Sequence, residues 1–197
     1  MRFIWKPCDI VASSGAGFFS KGIRWMTQGW EEDPTEVSHV AHCIQEGDDD
    51  TAILHDALAK GWSGTPREIY AGHGPITVYR PINLTKNQVD IIVEQSKHEQ
   101  IKLSKRRYDY SYGYIALSAL DFLLGDRYLF RRMVATRLPV CSTATARKWR
   151  SAGLTFGKDA DAIDPDSMHD WMKANTWAYE CVRQPTELEK RSEEAAK

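Results

Sequence analysis

The chain has 197 residues, of which 42% are hydrophobic and 27% are charged, and its formal net charge is -1. This length suits one domain with a single substantial core, and the composition is that of an ordinary globular protein rather than a disordered chain. No stretch approaches the roughly 18 consecutive apolar residues of a membrane span. The sequence therefore excludes a transmembrane class.

The start of the chain and its cysteine content indicate a compartment. Residues 1–7 contain no apolar run long enough for a signal peptide. We therefore expect synthesis and residence in the cytosol, or packaging into a particle such as a virion that delivers the protein to an envelope. The four cysteines lie far apart and form no CxxC pair, which argues against a zinc site and a disulfide framework. We expect free thiols and no metal or other cofactor.

Short runs of β-branched and aromatic residues, bounded by turn residues, predict five strands. The second and third are separated by the turn sequence Gly47-Asp48-Asp49-Asp50, and they fit an antiparallel hairpin. In chain order the predicted strands are residues 9–12, 37–44, 51–57, 75–81 and 176–182.

Helices are predicted between and after these strands. Thr85 suits the N-cap of a long helix that runs towards Ile101, and Asp164 precedes a proline at a second helix start. Residues 61–74, rich in glycine and proline, are interpreted as a connection. With no internal repeat and no long linker, residues 1–186 are interpreted as one domain. Further helical segments are predicted at residues 18–29 and 110–124, a short amphipathic turn or helix at residues 127–134, and a charged, frayed tail at residues 187–197.

Charge is distributed unevenly along the chain. Residues 31–60 hold nine acidic residues and one basic residue, which we interpret as a solvated face. Residues 102–150 hold eleven basic and three acidic residues, and this block contains Cys141. Its field would support a thiolate at that position and draw in anionic substrates.

Cys141 lies where an extended segment is predicted to turn into a helix. Pro139 disfavours helix for the residue before it, whereas Ser142, Thr143 and the alanines that follow suit a helix start. At a helix N-terminus the free backbone N–H groups and the macrodipole favour a thiolate, the form that a nucleophile needs. The alternative is a buried structural cysteine in a core helix. A basic partner would decide between the two.

Histidine is the natural base for a thiol, because its ordinary pKa of about 6.5 allows proton transfer near neutrality. His39 lies in a predicted strand. Because side chains alternate along a strand, His39 and Ala41 should share one face and His42 the other. His55 and Asp56 lie on the returning strand, where one of them could orient His39 as the third member of a triad does. The remaining histidines, interpreted as surface residues, are His73, His98 and His169.

Six short segments stand in an order that is found in a known family. They are Pro7-Cys8-Asp9-Ile10-Val11, Val37-Ser38-His39-Val40, Leu54-His55-Asp56-Ala57, Val78-Tyr79-Arg80-Pro81, Arg107-Tyr108-Asp109 and Val140-Cys141-Ser142. Together they resemble the landmarks of the circularly permuted NlpC-like papain-fold amidases of the YaeF/YiiX type, over roughly residues 7 to 150. The resemblance implies an α+β papain-like fold, in which a small antiparallel sheet or partial barrel packs against helices.

The resemblance also implies roles for individual residues. Cys141 matches the nucleophile, His39 the base, and Asp56 the acidic third residue. His55 is the alternative third residue, since some relatives use histidine there, and strand alternation allows only one of the two to face His39. Tyr108 matches a tyrosine that would contact the oxyanion or the substrate, and the backbone N–H of Cys141 would donate to the same oxyanion.

The chain departs from the family pattern at three places. Cys8 replaces the usual glycine before Asp9, which affects a tight turn, and Thr143 stands where a capping glutamate is usual. Residues 110–140 are longer than in the simplest relatives and are rich in aromatic and basic residues. We interpret them either as a helical insert that roofs the cleft or as a core helix with a solvated loop.

The implied activity is that of a cysteine amidase or peptidase that works through a thioester, with peptidoglycan-type peptide amides as the expected substrates. One alternative is a lipid acyl hydrolase or acyltransferase of the same fold, since fold does not choose the substrate. Another is a non-catalytic papain-like module that binds an anionic polymer or a membrane surface. No specific nucleic-acid partner is expected.

Overall fold

The computed structural model describes residues 3–14, 37–58, 61–70, 76–104, 141–161 and 163–184. These residues form an α+β structure with a six-stranded antiparallel sheet and four helices, which confirms the predicted class. The strands are β1 (Ile10–Ser13), β2 (His39–Gln45), β3 (Ile53–Leu58), β4 (Gly61–Gly64), β5 (Ile76–Pro81) and β6 (Tyr179–Arg183). The helices are α1 (Pro66–Tyr70), α2 (Lys86–Ser104), α3 (Cys141–Ser151) and α4 (Pro165–Ala174).

The strand order in the sheet is β4-β3-β2-β1-β5-β6. β1 pairs with β2 on one side and β5 on the other, so that Val11 lies between Ala41 and Val78. β2 and β3 form the predicted hairpin. Its turn is held by Asp48, whose carboxylate accepts from the Asp50 N–H at 3.0 Å and from the Thr51 hydroxyl at 2.8 Å.

The core lies on both faces of the sheet. The larger cluster packs α2, α3 and α4 against one face, and it is centred on the fully buried side chains of Trp149, Phe156 and Met168. The smaller cluster covers part of the opposite face, around Trp5 and Leu54. Burying each large apolar side chain contributes about 1.5–3 kcal/mol, so this packing holds α3 against the sheet.

Helix starts follow the capping chemistry of the sequence. Thr85 precedes α2 and exchanges hydrogen bonds with Gln88, and Asp164 accepts from the Ser167 N–H at 2.8 Å to cap α4. α3 begins at Cys141, as predicted. Among the described helices, even the 19-residue α2 is too polar to cross a bilayer.

Part of the segment interpreted as a connection, residues 61–74, is regular structure. β4 pairs with β3, and α1 follows after Thr65, whose N–H donates to Glu68 at 2.9 Å in a capping box. A Cβ on Gly64 would lie 3.2 Å from Ile69, so glycine permits this close turn between β4 and α1. Because glycine and proline are typical of loops, the composition of this segment did not predict β4 or α1.

The last strand begins later than predicted, at Tyr179 rather than residue 176, because the Asn175 carbonyl accepts from Ala178 at 2.9 Å and closes a turn. The helices predicted within residues 18–29, 110–124 and 127–134 lie outside the described residues. So do the interpreted insert at 110–140 and the tail at 187–197.

Candidate active site

The first residue of α3 is Cys141, and its side chain is buried against the start of β2. The imidazole of His39 lies close enough to the Cys141 thiol for charge on the sulfur to raise the pKa of that ring. At the first position of a helix, backbone N–H groups have no intrahelical acceptor and the positive end of the macrodipole is near. Cys141 therefore combines a helix N-terminus with a basic neighbour.

Asp56 lies on the other side of the His39 ring. Its Oδ1 is 2.6 Å from His39 Nε2, and the two residues are 1% and 7% exposed. The separation is that of a close ion pair, but among the described residues neither Asp56 oxygen accepts a well-aligned hydrogen bond. The contact is therefore mainly electrostatic. Three residues from β2, β3 and α3 thus meet in the order Cys141, His39, Asp56.

The charge state of His39 follows from these neighbours. Burial alone would lower the pKa of His39, but the negative charges of Asp56 and Cys141 at close range outweigh burial and raise it well above 6.5. At neutral pH the ring is therefore an imidazolium between a carboxylate and the sulfur. A protonated base beside a cysteine is the arrangement of an activated thiol.

His55 does not contact His39. Its ring stacks on His42 at a centroid distance of 5.0 Å, and its Nε2 is 3.5 Å from Glu99 Oε2 on α2. The structure therefore brings Asp56, rather than His55, to His39. The pairing register explains this, because His55 lies directly opposite His42 and the next residue projects to the other side of β3.

Both histidines of β2 approach α3, which strict alternation along the strand did not suggest. His42 contacts α3 from the middle of β2, where its Nδ1 is 3.2 Å from Thr145 Oγ1. His39 is the first residue of the strand, and it meets the helix where the helix begins. Position at the strand end thus lets the His39 ring reach the same helix as the His42 ring.

The other histidines were predicted to lie on the surface, and the structure confirms this for one of them only. His98 is exposed on α2, as predicted, and His73 lies outside the described residues. The prediction that His169 is a surface residue is wrong: it is 4% exposed, and its Nδ1 is 3.3 Å from the Tyr79 hydroxyl. His169 lies beside Met168 on the face of α4 that packs into the larger core cluster, which explains its burial.

The basic residues of α3, which belong to the described part of the basic block, form ion pairs. Within its described part, Lys148 pairs with Glu99, and Arg147 and Arg150 both pair with Asp161. These pairs offset the local positive charge. Most of the remainder of the block, including Tyr108, lies outside the described residues.

Tyr70 is a site residue that the sequence did not reveal. Its hydroxyl is buried, and its pKa is raised well above 10 by burial, then by the negative charges of Asp56 and Cys141. α1 holds it in place through the capping box and through Arg67, whose backbone N–H donates to the Asp49 carbonyl at 3.0 Å. Because Tyr70 fell within a stretch interpreted as a connection, no local pattern marked it.

The four cysteines are free, and they differ in environment. Burial raises the pKa of Cys8 and of Cys43 to about 12, and it also raises that of the more exposed Cys181. Those three thiols are therefore protonated at neutral pH, whereas Cys141 lies beside an imidazolium. In the part of the chain that the structure describes, no cluster of His, Cys, Asp and Glu could hold a metal ion.

No protein-family model matches the chain, and no curated protein matches it. What the site can do chemically is set by its geometry. A thiol at a helix start, a histidine beside it and a buried carboxylate 2.6 Å from that histidine can carry out nucleophilic attack and proton transfer.

Proposed function

We propose that this protein is a cysteine hydrolase that cleaves amide bonds, with Cys141 as nucleophile, His39 as acid and base, and Asp56 as the residue that orients and charges His39. The observation that carries the proposal is the buried series of contacts from the Cys141 thiol through His39 to Asp56. Burying two charged side chains has a large desolvation cost, which a close pairing of opposite charges offsets. Buried, closely paired ionisable groups of this kind are concentrated at functional sites.

The mechanism would run in two steps. The Cys141 thiolate attacks the carbonyl carbon, and the oxyanion that forms accepts from the Cys141 backbone N–H. The C–N bond then breaks, His39 gives its proton to the leaving amine, and a thioester remains. In the second step neutral His39 takes a proton from water, the new C–O bond forms, and the C–S bond breaks to restore the thiolate. The raised pKa of His39 suits its first role, because the ring is protonated when the amine leaves.

The fold proposed is that of the circularly permuted NlpC-like papain-fold amidases. Its support is the order of elements along the chain: the strand with His39 comes first, the strand with Asp56 follows, and the helix with Cys141 comes late. In the papain-like arrangement a cysteine at a helix start faces a histidine on a sheet, and the described residues have this relation. Tyr108 would be a second contact for the oxyanion or the substrate.

Selective labelling tests the catalytic proposal. The protein is treated with limiting iodoacetamide at pH 7, and each cysteine is quantified by peptide mass spectrometry. Cys141 should label fastest, ahead of the more exposed Cys181, and His39→Ala should slow Cys141 at least tenfold. His98→Ala is the matched control, because that ring is exposed on α2. Equal labelling of Cys141 and Cys181, or no effect of His39→Ala, would refute the hydrolase.

The proposed substrates are peptide amides of the peptidoglycan type. Incubation with peptidoglycan fragments should release amines that mass spectrometry detects, and Cys141→Ser should release none. Phospholipid vesicles serve as the parallel arm: release of fatty acid would assign the protein to the lipid acyl hydrolases of the same fold. A reactive Cys141 with no product in either arm would point to another acyl donor.

A further inference from the structure

The buried imidazole of His42 joins three elements beneath the candidate site. Its Nε2 is 2.8 Å from the Ser96 hydroxyl on α2, and its Nδ1 is 3.2 Å from the Thr145 hydroxyl on α3. The ring also contacts Trp149 edge-on at 5.2 Å. His42 itself belongs to β2, so one ring links the sheet to both helices.

The hydrogen bonds fix where the ring proton lies. Ser96 donates its single hydroxyl proton to the Ile92 carbonyl at 2.7 Å, so towards His42 it can only accept. Nε2 of His42 must therefore carry the hydrogen, and Nδ1 must accept from the Thr145 hydroxyl. In this tautomer both ring nitrogens are satisfied while the ring is neutral, and both helices are held by directed bonds.

The groups around His42 keep it neutral. Burial lowers its pKa well below 6.5, and positive charge on His55 or on Lys148 lowers it further. His55 stacks on the ring from β3, and Lys148 and Glu99 form an ion pair between α3 and α2. The acid of that pair lies 3.5 Å from His55. Protonation of His42 would thus add a positive charge to a buried space in which Lys148 and Glu99 already neutralise each other.

The bond to Thr145 lies one helical turn from the nucleophile. Residues four apart share a face of a helix, so Cys141, Thr145 and Trp149 form one stripe of α3 directed at the sheet. Along that stripe Cys141 meets His39, and Thr145 and Trp149 meet His42. Apolar packing holds α3 against the sheet, and the hydrogen bond between Thr145 and His42 adds a directed constraint at one point along the helix axis.

We infer that His42, as the neutral Nε2–H tautomer, is a positioning residue that sets the axial position of α3 and so holds the Cys141 sulfur in line with His39. This inference rests on the proposed function, since it assigns His42 to the alignment of that nucleophile. His42 touches neither reacting group, and its effect is carried by Thr145.

A matched pair of substitutions at Thr145 tests this role. Thr145→Val keeps the shape and removes the hydroxyl, whereas Thr145→Ser keeps the hydroxyl. The readout is the second-order rate of Cys141 alkylation by iodoacetamide at pH 7, at a temperature where thermal unfolding shows both variants to be folded. We expect Thr145→Val to lose about tenfold in rate, because small misplacements of a reacting group are costly, and Thr145→Ser to stay near wild type.

Ser96→Ala removes the other partner of the ring, and it gives a second route if Thr145→Val does not fold. It too should slow alkylation. Equal rates in Thr145→Val, Ser96→Ala and wild type, together with a large effect of His39→Ala, would overturn the positioning role and leave the hydrolase intact. A slow Thr145→Val beside an unaffected His39→Ala would instead overturn the proposed function.

The tautomer has its own readout. Nitrogen-15 NMR of the histidine rings should show His42 protonated at Nε2 alone at pH 7, and this form should persist below pH 6. A ring protonated at Nδ1, or one that titrates near 6.5, would contradict the assignment.

Discussion

Replacing Asp56 by asparagine tests the charge arrangement of the site most directly. The substitution keeps the shape of the side chain and removes its charge from beside His39. At the observed 2.6 Å, the attraction between two unit charges is about 6 kcal/mol at an effective dielectric constant of about 20. Desolvation of two buried groups offsets much of this, so the net cost of removing one partner should be about 3 kcal/mol.

The pH dependence of that cost has a definite sign. The pKa of folded His39 lies above its unfolded value, so the protonated ring contributes stability that is full below about pH 6.5 and is lost as pH rises through the folded pKa. The difference in unfolding free energy between wild type and Asp56→Asn should therefore be largest near pH 6 and should shrink towards pH 10.

Urea unfolding at pH 6 and pH 10, followed by fluorescence, measures this difference. Alkylation of Cys141 at pH 7 should also slow, because His39 would then lose its proton at a lower pH. Asp50→Asn is the control, because Asp50 forms an exposed ion pair with Arg67 on the surface, and such pairs contribute little. If Asp56→Asn matched Asp50→Asn in stability and left the alkylation rate unchanged, the charge arrangement described here would be wrong.

Three further outcomes are expected. Cys141→Ser should abolish product release while reducing the free energy of unfolding by less than the about 3 kcal/mol expected for Asp56→Asn, since the change nearly conserves volume; a variant that fails to fold would favour a structural cysteine. Tyr70→Phe should slow Cys141 alkylation about threefold, because the hydroxyl dipole stabilises negative charge on the sulfur, and an unchanged rate would place Tyr70 outside the site. The pKa values of His42 and His55 are lowered in the folded state, so their contribution to stability is full above about pH 6.5 and is lost as pH falls. Urea unfolding at pH 7.5 and pH 5 should show this loss of stability, and the loss should be smaller in His42→Gln. An equal loss in wild type and His42→Gln would show that other residues cause the acid sensitivity.

Local chemistry predicted the parts of the site that depend on short stretches of chain. Proline followed by serine, threonine and alanine places a helix start at Cys141, and the turn residues before β3 place His39 and Asp56 on neighbouring strands. The choice between His55 and Asp56 depends on register, which the alternating pattern limits to one of the two.

Features that depend on distant packing could not be read from the sequence. Tyr70 is placed by a one-turn helix within a glycine-rich stretch, and Ser96 looks like any polar residue of a long helix. Lys148 counts as a surface charge in the sequence, yet it is buried and paired with Glu99. The burial of His169 could not be predicted, because a polar residue beside an apolar stripe can be buried or exposed until the neighbouring elements are known.

The long sequence separation between β2 and α3 also implies an order of folding steps. His42 and Thr145 are 103 positions apart, whereas the two strands that carry His39 and Asp56 are joined by a short turn. During synthesis the hairpin can form early, but the sulfur gains its basic neighbour only when the late helix docks. An incomplete chain therefore carries an ordinary thiol, and the activated sulfur arises only with completion of the tertiary structure.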